Sequence, residues 1–266
     1  MPESTPSAPA PAPSARAYTY RGEGTGFLQR LSWNAGRLLS RVLSMLCFRL
    51  HVRGQGGIPK FGGVLLVTNH QSFLDPWLIG LAPGRQVHNM ARDTLYHGGF
   101  LHWLMEMMNA FPVKRGTADL GAIRMAVELL DKGYVVNVFP EGTRSEDGTI
   151  GAIAPGVSVI LRRAKTPVRV MPAIIDGSFE AWPRKARLPM PGLIRMAFGK
   201  PIEAAEWRGL SAEELARRIR RELVELQEEV GSEHTGASRR RMEEEEKAAA
   251  DGGKRRRRGH AAGREA

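Results

Sequence analysis

The stretch VTNHQSFLDP, residues 67–76, sets an ionisable imidazole and a carboxylate, His70 and Asp75, five residues apart at the mouth of an apolar run, 64–67. Packing alone asks for Leu or Val at such positions. On one continuous helix, residues five apart sit about 140° apart and face different ways. If the helix starts at Ser72, however, His70 stays in the preceding loop and can fold back toward Asp75. A carboxylate hydrogen-bonded to one imidazole nitrogen fixes the tautomer and leaves the other nitrogen free as a base. No serine or cysteine nucleophile is obvious beside the pair, so the nucleophile it would activate is a hydroxyl of the substrate itself. The structural alternative is that Asp75 caps the helix and His70 is an incidental loop residue.

Two further stretches carry chemistry. FPEGTRS, residues 139–145, follows another apolar run and offers Glu141, Gly142, Thr143 and Arg144, with a turn at Asp147-Gly148 beyond it. The guanidinium of Arg144 is a planar fork of donors suited to phosphate, and Glu141 can hold it or bind a substrate hydroxyl. FPVKRG, residues 111–116, brings Lys114 and Arg115 to the start of a further helix, where backbone N–H groups also favour an anion. A surface ion pair is the plain alternative for Glu141 and Arg144.

The elements that must position these residues alternate in type. Apolar runs predict strands over 64–68, 86–91, 134–139, 168–175 and 193–198, and the alternating 48–53 predicts a half-exposed strand. Helical spacing covers 99–109, 119–130 (closed by Gly133), 156–164 and 211–230, the last N-capped by Ser211. A helix near Ser72 would use Ser72 and Asp75 as a capping box, with Pro76 tolerated in its first turn. Strands alternating with helices predict an α/β domain, a largely parallel sheet flanked by helices. In such sheets ligands bind outside the carboxyl ends of the strands, where the His70 and Glu141 loops fall.

An amphipathic helix precedes that domain. Over 27–46, Phe27, Leu28, Leu31, Ala35, Leu38, Leu39, Val42 and Leu46 recur at three- and four-residue intervals, while Arg30, Arg37, Arg41 and Ser44 gather elsewhere. It either packs on the domain or lies in a membrane interface, its arginines and Trp33 near anionic headgroups. The chain therefore divides into a Pro/Ala-rich tail at 1–26, the interface helix at 27–47, the main domain at 48–230 and a charged tail at 231–266. Both tails lack apolar periodicity and are expected to be disordered.

The chain has 266 residues and a net charge of +11. The 27–230 segment accounts for +8 of that charge, so the folded part is itself basic and suits anionic lipid, phosphorylated substrates or nucleic acid. A single cysteine, Cys47, rules out an intrachain disulfide, fits a reducing compartment and reads as a small buried thiol. No secretory signal pattern and no run of about 18 apolar residues is present, which points to a peripheral or monotopic protein.

The order and spacing of these blocks resemble the glycerophospholipid acyltransferase family, especially bacterial 1-acyl-glycerol-3-phosphate acyltransferases. NHQSFLD is similar to the family's NHxSxxD block, with His70 and Asp75 as its H-x4-D pair. FPVKRG resembles the second block, ending in Arg115, and FPEGTRS the third. The 170–174 stretch with Pro172 resembles the fourth, and the likeness runs from about 48 to 200. One departure is Ala154, at a place where the family often has a lysine before the glycine, so phosphate recognition would rest more on Arg115 and Arg144.

The resemblance implies acyl transfer from an acyl-CoA or acyl carrier protein thioester to the hydroxyl of 1-acyl-glycerol-3-phosphate, giving phosphatidic acid for phospholipid biosynthesis. His70 would be the general base and Asp75 its support. Arg115, Glu141, Gly142, Thr143 and Arg144 would bind the acceptor. No metal or cofactor is implied, and His97 and His102 lie five apart, off a common helical face. The expected partners are the lysophospholipid acceptor, the thioester donor and an anionic membrane surface at the cytoplasmic face of the cell membrane. Glycerol 3-phosphate or another lyso-lipid is the alternative acceptor.

Two other classes compete: a basic nucleic-acid-binding protein using Lys254 to Arg258, and a membrane scaffold with a degenerate site. The main domain shows no nucleic-acid module and few aromatics among its basic residues, so no specific nucleic acid is expected. All four blocks keep their chemical residues, against a degenerate site. The 181–187 stretch, where Trp182 stands among Arg184, Lys185 and Arg187, reads equally as a second membrane contact or as an exposed loop with ordinary solvated charges.

Overall fold

The computed structural model describes residues 27–81, 85–93, 109–113, 119–183 and 186–262. Among these, the apolar runs build one seven-stranded sheet: β1 (His51–Arg53), β2 (Val64–Thr68), β3 (Val87–Arg92), β4 (Ala110–Val113), β5 (Val135–Val138), β6 (Arg169–Asp176) and β7 (Arg195–Phe198). The strand order is β1-β7-β6-β2-β5-β3-β4, and each neighbouring pair is parallel except β6 with β7. The helices are α1 (Phe27–Phe48), α2 (Asp75–Gly80), α3 (Leu120–Asp131), α4 (Gly156–Arg163), α5 (Ser178–Ala181), α6 (Ala204–Trp207), α7 (Ala212–Glu229) and α8 (Thr235–Ala262). This is the α/β arrangement, with its largely parallel sheet, that the alternation of elements predicts.

The central strands are buried on both faces, as parallel sheets require, and each residue chooses its face by parity. Leu65, Val67, Val136, Val138, Val170 and Ile174 join one apolar cluster with α3, α4 and α7. Val64, Leu66, Val135, Met171, Ala173 and Ile175 join the other, with Phe48, Leu50 and α2. Capping sharpens the helix ends. The Asp119 side chain accepts from the N–H groups of Gly121 (2.9 Å) and Ala122 (3.1 Å), and α7 carries a full capping box between Ser211 and Glu214.

Several elements depart from expectation. The FPVK stretch, read as a loop entering a helix, is strand β4 as far as Val113; at the edge of the sheet Pro112 is tolerated. The helix expected over 99–109 lies outside the described residues, together with His97 and His102. Cys47 is exposed rather than buried. Ser44, placed by the sequence on the polar side of α1, is fully buried, while Leu38, Leu39, Val42 and Leu46 are exposed.

The segment from 231, expected to lack order, continues as α8. Ala, Glu, Lys and Arg are strong helix formers. Its docked face is mostly polar, with Ser238, Arg241, Met242 and Glu245 recurring at helical spacing, so apolar periodicity could not reveal it.

A polar ladder runs through the middle of the sheet toward the site. Thr68 Oγ1 on β2 donates to Asn137 Oδ1 on β5 (2.7 Å), and Asn137 Nδ2 donates to Asn89 Oδ1 on β3 (3.0 Å). Asn89 Nδ2 then donates to the carbonyl of Pro76 in the first turn of α2 (3.2 Å). All three side chains are buried, so each depends on its neighbour. Asn137→Ala leaves Thr68 and Asn89 each short of a partner and should lower unfolding free energy by roughly 2–4 kcal/mol. Denaturant unfolding of the variant measures this; a loss within experimental error of zero would show that the ladder is dispensable.

Candidate active site

The carboxyl ends of β2, β5 and β6 meet at one edge of the sheet, because the three strands are adjacent and parallel. The loop after β2 is held there by Asn69. Its side chain donates to the carbonyl of Ile175 (2.9 Å) and accepts from the N–H of the same residue (2.8 Å), continuing the pairing with β6 past the last residue of β2. His70 comes next, and α2 starts only at Asp75, so the imidazole does fold back as the sequence allows.

His70 Nδ1 lies 2.8 Å from Asp75 Oδ2. Asp75 has no exposed surface, and His70 is 12% exposed. Oδ2 also accepts from the N–H groups of Gln71 (2.6 Å) and Ser72 (2.7 Å), while Oδ1 accepts from Ser178 Oγ on α5 (2.7 Å). A carboxylate only accepts, so Nδ1 carries the proton in the neutral ring and Nε2 is the free basic nitrogen. The expected capping box is half realised: Asp75 reaches back to the Ser72 N–H, but Ser72 Oγ accepts from Leu74 N–H (3.3 Å), one residue short, so the helix is entered late. Asp75 thus gathers the two loop N–H groups ahead of α2 and is the imidazole's partner, without capping the helix itself.

The FPEGTRS loop after β5 grips the same peptide. Phe139 stacks on the His70 ring, with centroids 4.2 Å apart and planes at 22°. Glu141 Oε1 accepts from the His70 N–H (2.9 Å), and the Ser145 N–H donates to the His70 carbonyl (2.7 Å). The other oxygen of Glu141 accepts from the Gly151 N–H (2.9 Å). Both oxygens of Glu141 are therefore engaged with backbone N–H groups, one of His70 and one of Gly151. Gly142, at φ 69°, closes the Phe139–Gly142 turn with its N–H on the Phe139 carbonyl (3.1 Å); Gly142 and Thr143 are exposed. Arg144 is half-buried, its guanidinium carbon 4.5 Å from the centre of the half-exposed Phe73 ring.

The structure so brings together His70, Asp75, Glu141, Gly142, Thr143 and Arg144. Arg115 lies outside the described residues; β4 ends at Val113 on the same edge of the sheet. Sequence reasoning missed Ser178. Its signal was position, two residues past the end of β6, on the edge where His70 and Glu141 were sought. Trp182, expected to reach outward, is part-buried instead: its indole meets Phe73 at 5.9 Å, its Nε1 donates to Ala186, and its carbonyl accepts from Ser72 Oγ (3.0 Å). Arg184 and Lys185 lie outside the described residues.

This arrangement is a buried carboxylate–imidazole pair whose Nε2 is left as the basic nitrogen, with Arg144 packed on the Phe73 ring of the same loop; among the described residues no protein nucleophile hydrogen-bonds to that nitrogen. Residues 49–176, just under half of the chain, match the family model described as Acyltransferase. Among curated proteins, the chain is 30% identical over 163 residues to a chloroplastic 1-acyl-sn-glycerol-3-phosphate acyltransferase of Arabidopsis thaliana, covering 60% of this chain and 45% of that one. It is 24% identical over 176 residues to the 1-acyl-sn-glycerol-3-phosphate acyltransferase of Bacillus subtilis, covering 65% and 84%. The chain thus spans under half the length of the plant relative and most of the bacterial one. Its fold is similar to the crystal structure of the 1-acyl-sn-glycerophosphate (LPA) acyltransferase PlsC of Thermotoga maritima, with TM-score 0.62, 25% identity, and 76% and 81% of the two chains covered.

Burial pushes the Glu141 carboxyl up to about 7, in spite of the two backbone N–H groups that favour its ionised form; Asp75 nearby pushes the same way and Arg241 opposes it. With the folded value above the ordinary one, the fold favours the neutral acid. That contribution to stability is complete below the ordinary carboxylate range and is lost as pH rises through about 7. Glu141→Gln has no such ionisation. Its melting temperature should therefore fall less steeply than wild type between about pH 6 and pH 8. Parallel slopes in calorimetric scans would mean that Glu141 ionises as an ordinary exposed carboxylate.

Proposed function

We propose that the protein transfers a fatty acyl group from a thioester, acyl-CoA or acyl carrier protein, to the free hydroxyl of 1-acyl-glycerol-3-phosphate, forming phosphatidic acid. The observation that carries this reading is the Nδ1–Asp75 contact, which leaves His70 Nε2 as a base at the sheet edge with no protein nucleophile in contact with it. The names of the similar proteins supply the substrate class.

His70 Nε2 takes the proton from the acceptor hydroxyl as its oxygen attacks the thioester carbonyl. The imidazolium formed is stabilised by the Asp75 carboxylate. Collapse of the tetrahedral intermediate breaks the carbon–sulfur bond, and His70 returns its proton to the departing thiolate. Arg144 holds the acceptor phosphate, joined by Arg115, so that binding remote from the carbonyl orients the hydroxyl.

Both product and acceptor are lipids, so the site works at a membrane surface, at the cytoplasmic face of the cell membrane. No helix among the described residues is long and apolar enough to cross a bilayer. The outward face of α1 supports interfacial binding instead: Leu38, Leu39, Val42 and Leu46 present apolar surface, and Ser44 on the inward side donates to the Ser40 carbonyl. Cations near an anionic surface add on the order of 1 kcal/mol each.

Two variants test the chemistry. His70→Ala should lose about 10²–10⁴-fold in kcat while staying folded, whereas Arg144→Ala should mainly raise the KM for 1-acyl-glycerol-3-phosphate. Near-normal turnover of the histidine variant in a thioester-dependent assay would refute the mechanism.

Membrane binding has its own test. Wild type should float with anionic vesicles, less so in high salt but not to zero, because the apolar contribution is unscreened. Leu38→Asp combined with Leu39→Asp should release the protein, and flotation of that variant equal to wild type would exclude α1 as the anchor.

A further inference from the structure

The acyltransferase match ends at residue 176, yet the loop that fixes His70 is completed by helices beyond it. The 147–151 segment continues the FPEGTRS loop and is held at several of its polar backbone groups. Gly148 O accepts from Gln71 Nε2 (2.8 Å), next to the candidate base, and from Gln227 Nε2 on α7 (3.4 Å). The N–H of Ile150 donates to Ser238 Oγ on α8 (3.1 Å), and its carbonyl accepts from Arg220 Nη2 on α7 (3.2 Å). Arg241 Nη1 on α8 donates to Thr149 Oγ1 (3.0 Å), which donates in turn to Asp147 (2.6 Å). The next N–H, that of Gly151, is the one that holds Glu141. Ser238 has no exposed surface, so the Ile150 bond is closed to water.

These bonds form one line: α8 to Ile150, Gly151 to Glu141, Glu141 to the His70 N–H. We infer that Ser238 and Arg241 are positioning residues for His70, holding the 147–151 segment where Gly151 and Glu141 can fix the histidine's peptide. The inference deepens the proposed function and rests on its reading of His70 as the base. Neither residue touches a reacting atom; both act through the loop. A shift of the loop by a fraction of an ångström displaces Nε2 from the acceptor hydroxyl, and reaction rates fall steeply with such misplacement.

Arg241 also acts by charge. Facing Glu141 are Asp75 from the His70 loop, which opposes its ionisation, and Arg241 from α8, which favours it. Asp147 and Arg144 lie on Glu141's own loop, and the Arg220–Glu245 and His234–Glu180 pairs flank the same segment from α7, α8 and α5. An ionised Glu141 accepts both backbone N–H bonds fully, whereas a protonated one gives up one acceptor. Removing the Arg241 charge therefore moves the pH needed for the full clamp upward.

The test uses the full chain with Ser238→Ala, Arg241→Gln, Arg241→Lys and, as a control on the exposed side of α8, Glu244→Gln. Hydrogen exchange followed by mass spectrometry reads the amides of 66–75 and 139–153 without any need for substrate. Ser238→Ala should speed exchange in both segments about ten-fold, the size expected from loss of one buried hydrogen bond, and Arg241→Gln, whose bond to Thr149 is only part-buried, should speed it about three- to ten-fold. Arg241→Lys should stay within about two-fold of wild type, and the control should be unchanged.

In acyl transfer to 1-acyl-glycerol-3-phosphate, the same two variants should lower kcat about ten-fold with little change in KM. The acid limb of the pH–kcat profile should move to higher pH in Arg241→Gln and return in Arg241→Lys. Unchanged exchange in both segments would overturn the inference. So would a loss of kcat that the lysine variant shares in full and that leaves the pH profile in place, since that is mere destabilisation. Exchange that responds in a protein whose wild type transfers no acyl group would support the brace and overturn the proposed function alone.

Discussion

The mouth of the sheet depends on housing one carboxylate, Asp75, away from water. A buried carboxylate without partners is strongly unfavourable, and here four donors converge on it: two backbone N–H groups, one hydroxyl and one imidazole. Each donor fixes something else. The Gln71 and Ser72 amides set the shape of the loop, Ser178 ties the start of α5 to it, and the remaining direction is left to His70. The orientation of the imidazole is thus a consequence of satisfying Asp75, and it leaves Nε2 as the nitrogen able to take a proton.

Around this centre the sheet works as a rigid frame. Asn69 extends β2 onto β6, and the Thr68–Asn137–Asn89 ladder links β2, β5 and β3 to the first turn of α2. Glu141 then joins the loops after β2 and β5 by accepting from a backbone N–H in each. Buried polar networks of this kind are unforgiving when half satisfied and rigid when complete.

The molecule divides its labour between two ends of the chain. At one, α1 turns an apolar face outward, with Leu38, Leu39, Val42 and Leu46 exposed. At the other, α7 and α8 close over the 147–151 segment and complete the support of Glu141. The motif-bearing core between them supplies the reactive residues, and the two ends supply the surface and the brace.

The sequence by itself determined the sheet, most of its strands and the candidate site residues that gather at its edge. Buried parallel strands are near-continuous apolar runs, and reactive groups such as His70, Asp75 and Glu141 stand out where packing would place apolar residues. It left two branches open for Asp75, cap or partner, and the structure shows the carboxylate as the imidazole's partner, bonded to loop N–H groups ahead of α2 rather than capping it. Tertiary structure alone decided what Glu141 touches, because its partners are backbone N–H groups that any residue type carries. It alone joined Ser178 to Asp75, across 103 residues. It also decided that α8 docks, since a face of Ser238, Arg241 and Glu245 has no apolar signature and is specified by partners distant in the chain. Hydrophobic periodicity is written residue by residue; polar complementarity exists only once both partners are in place.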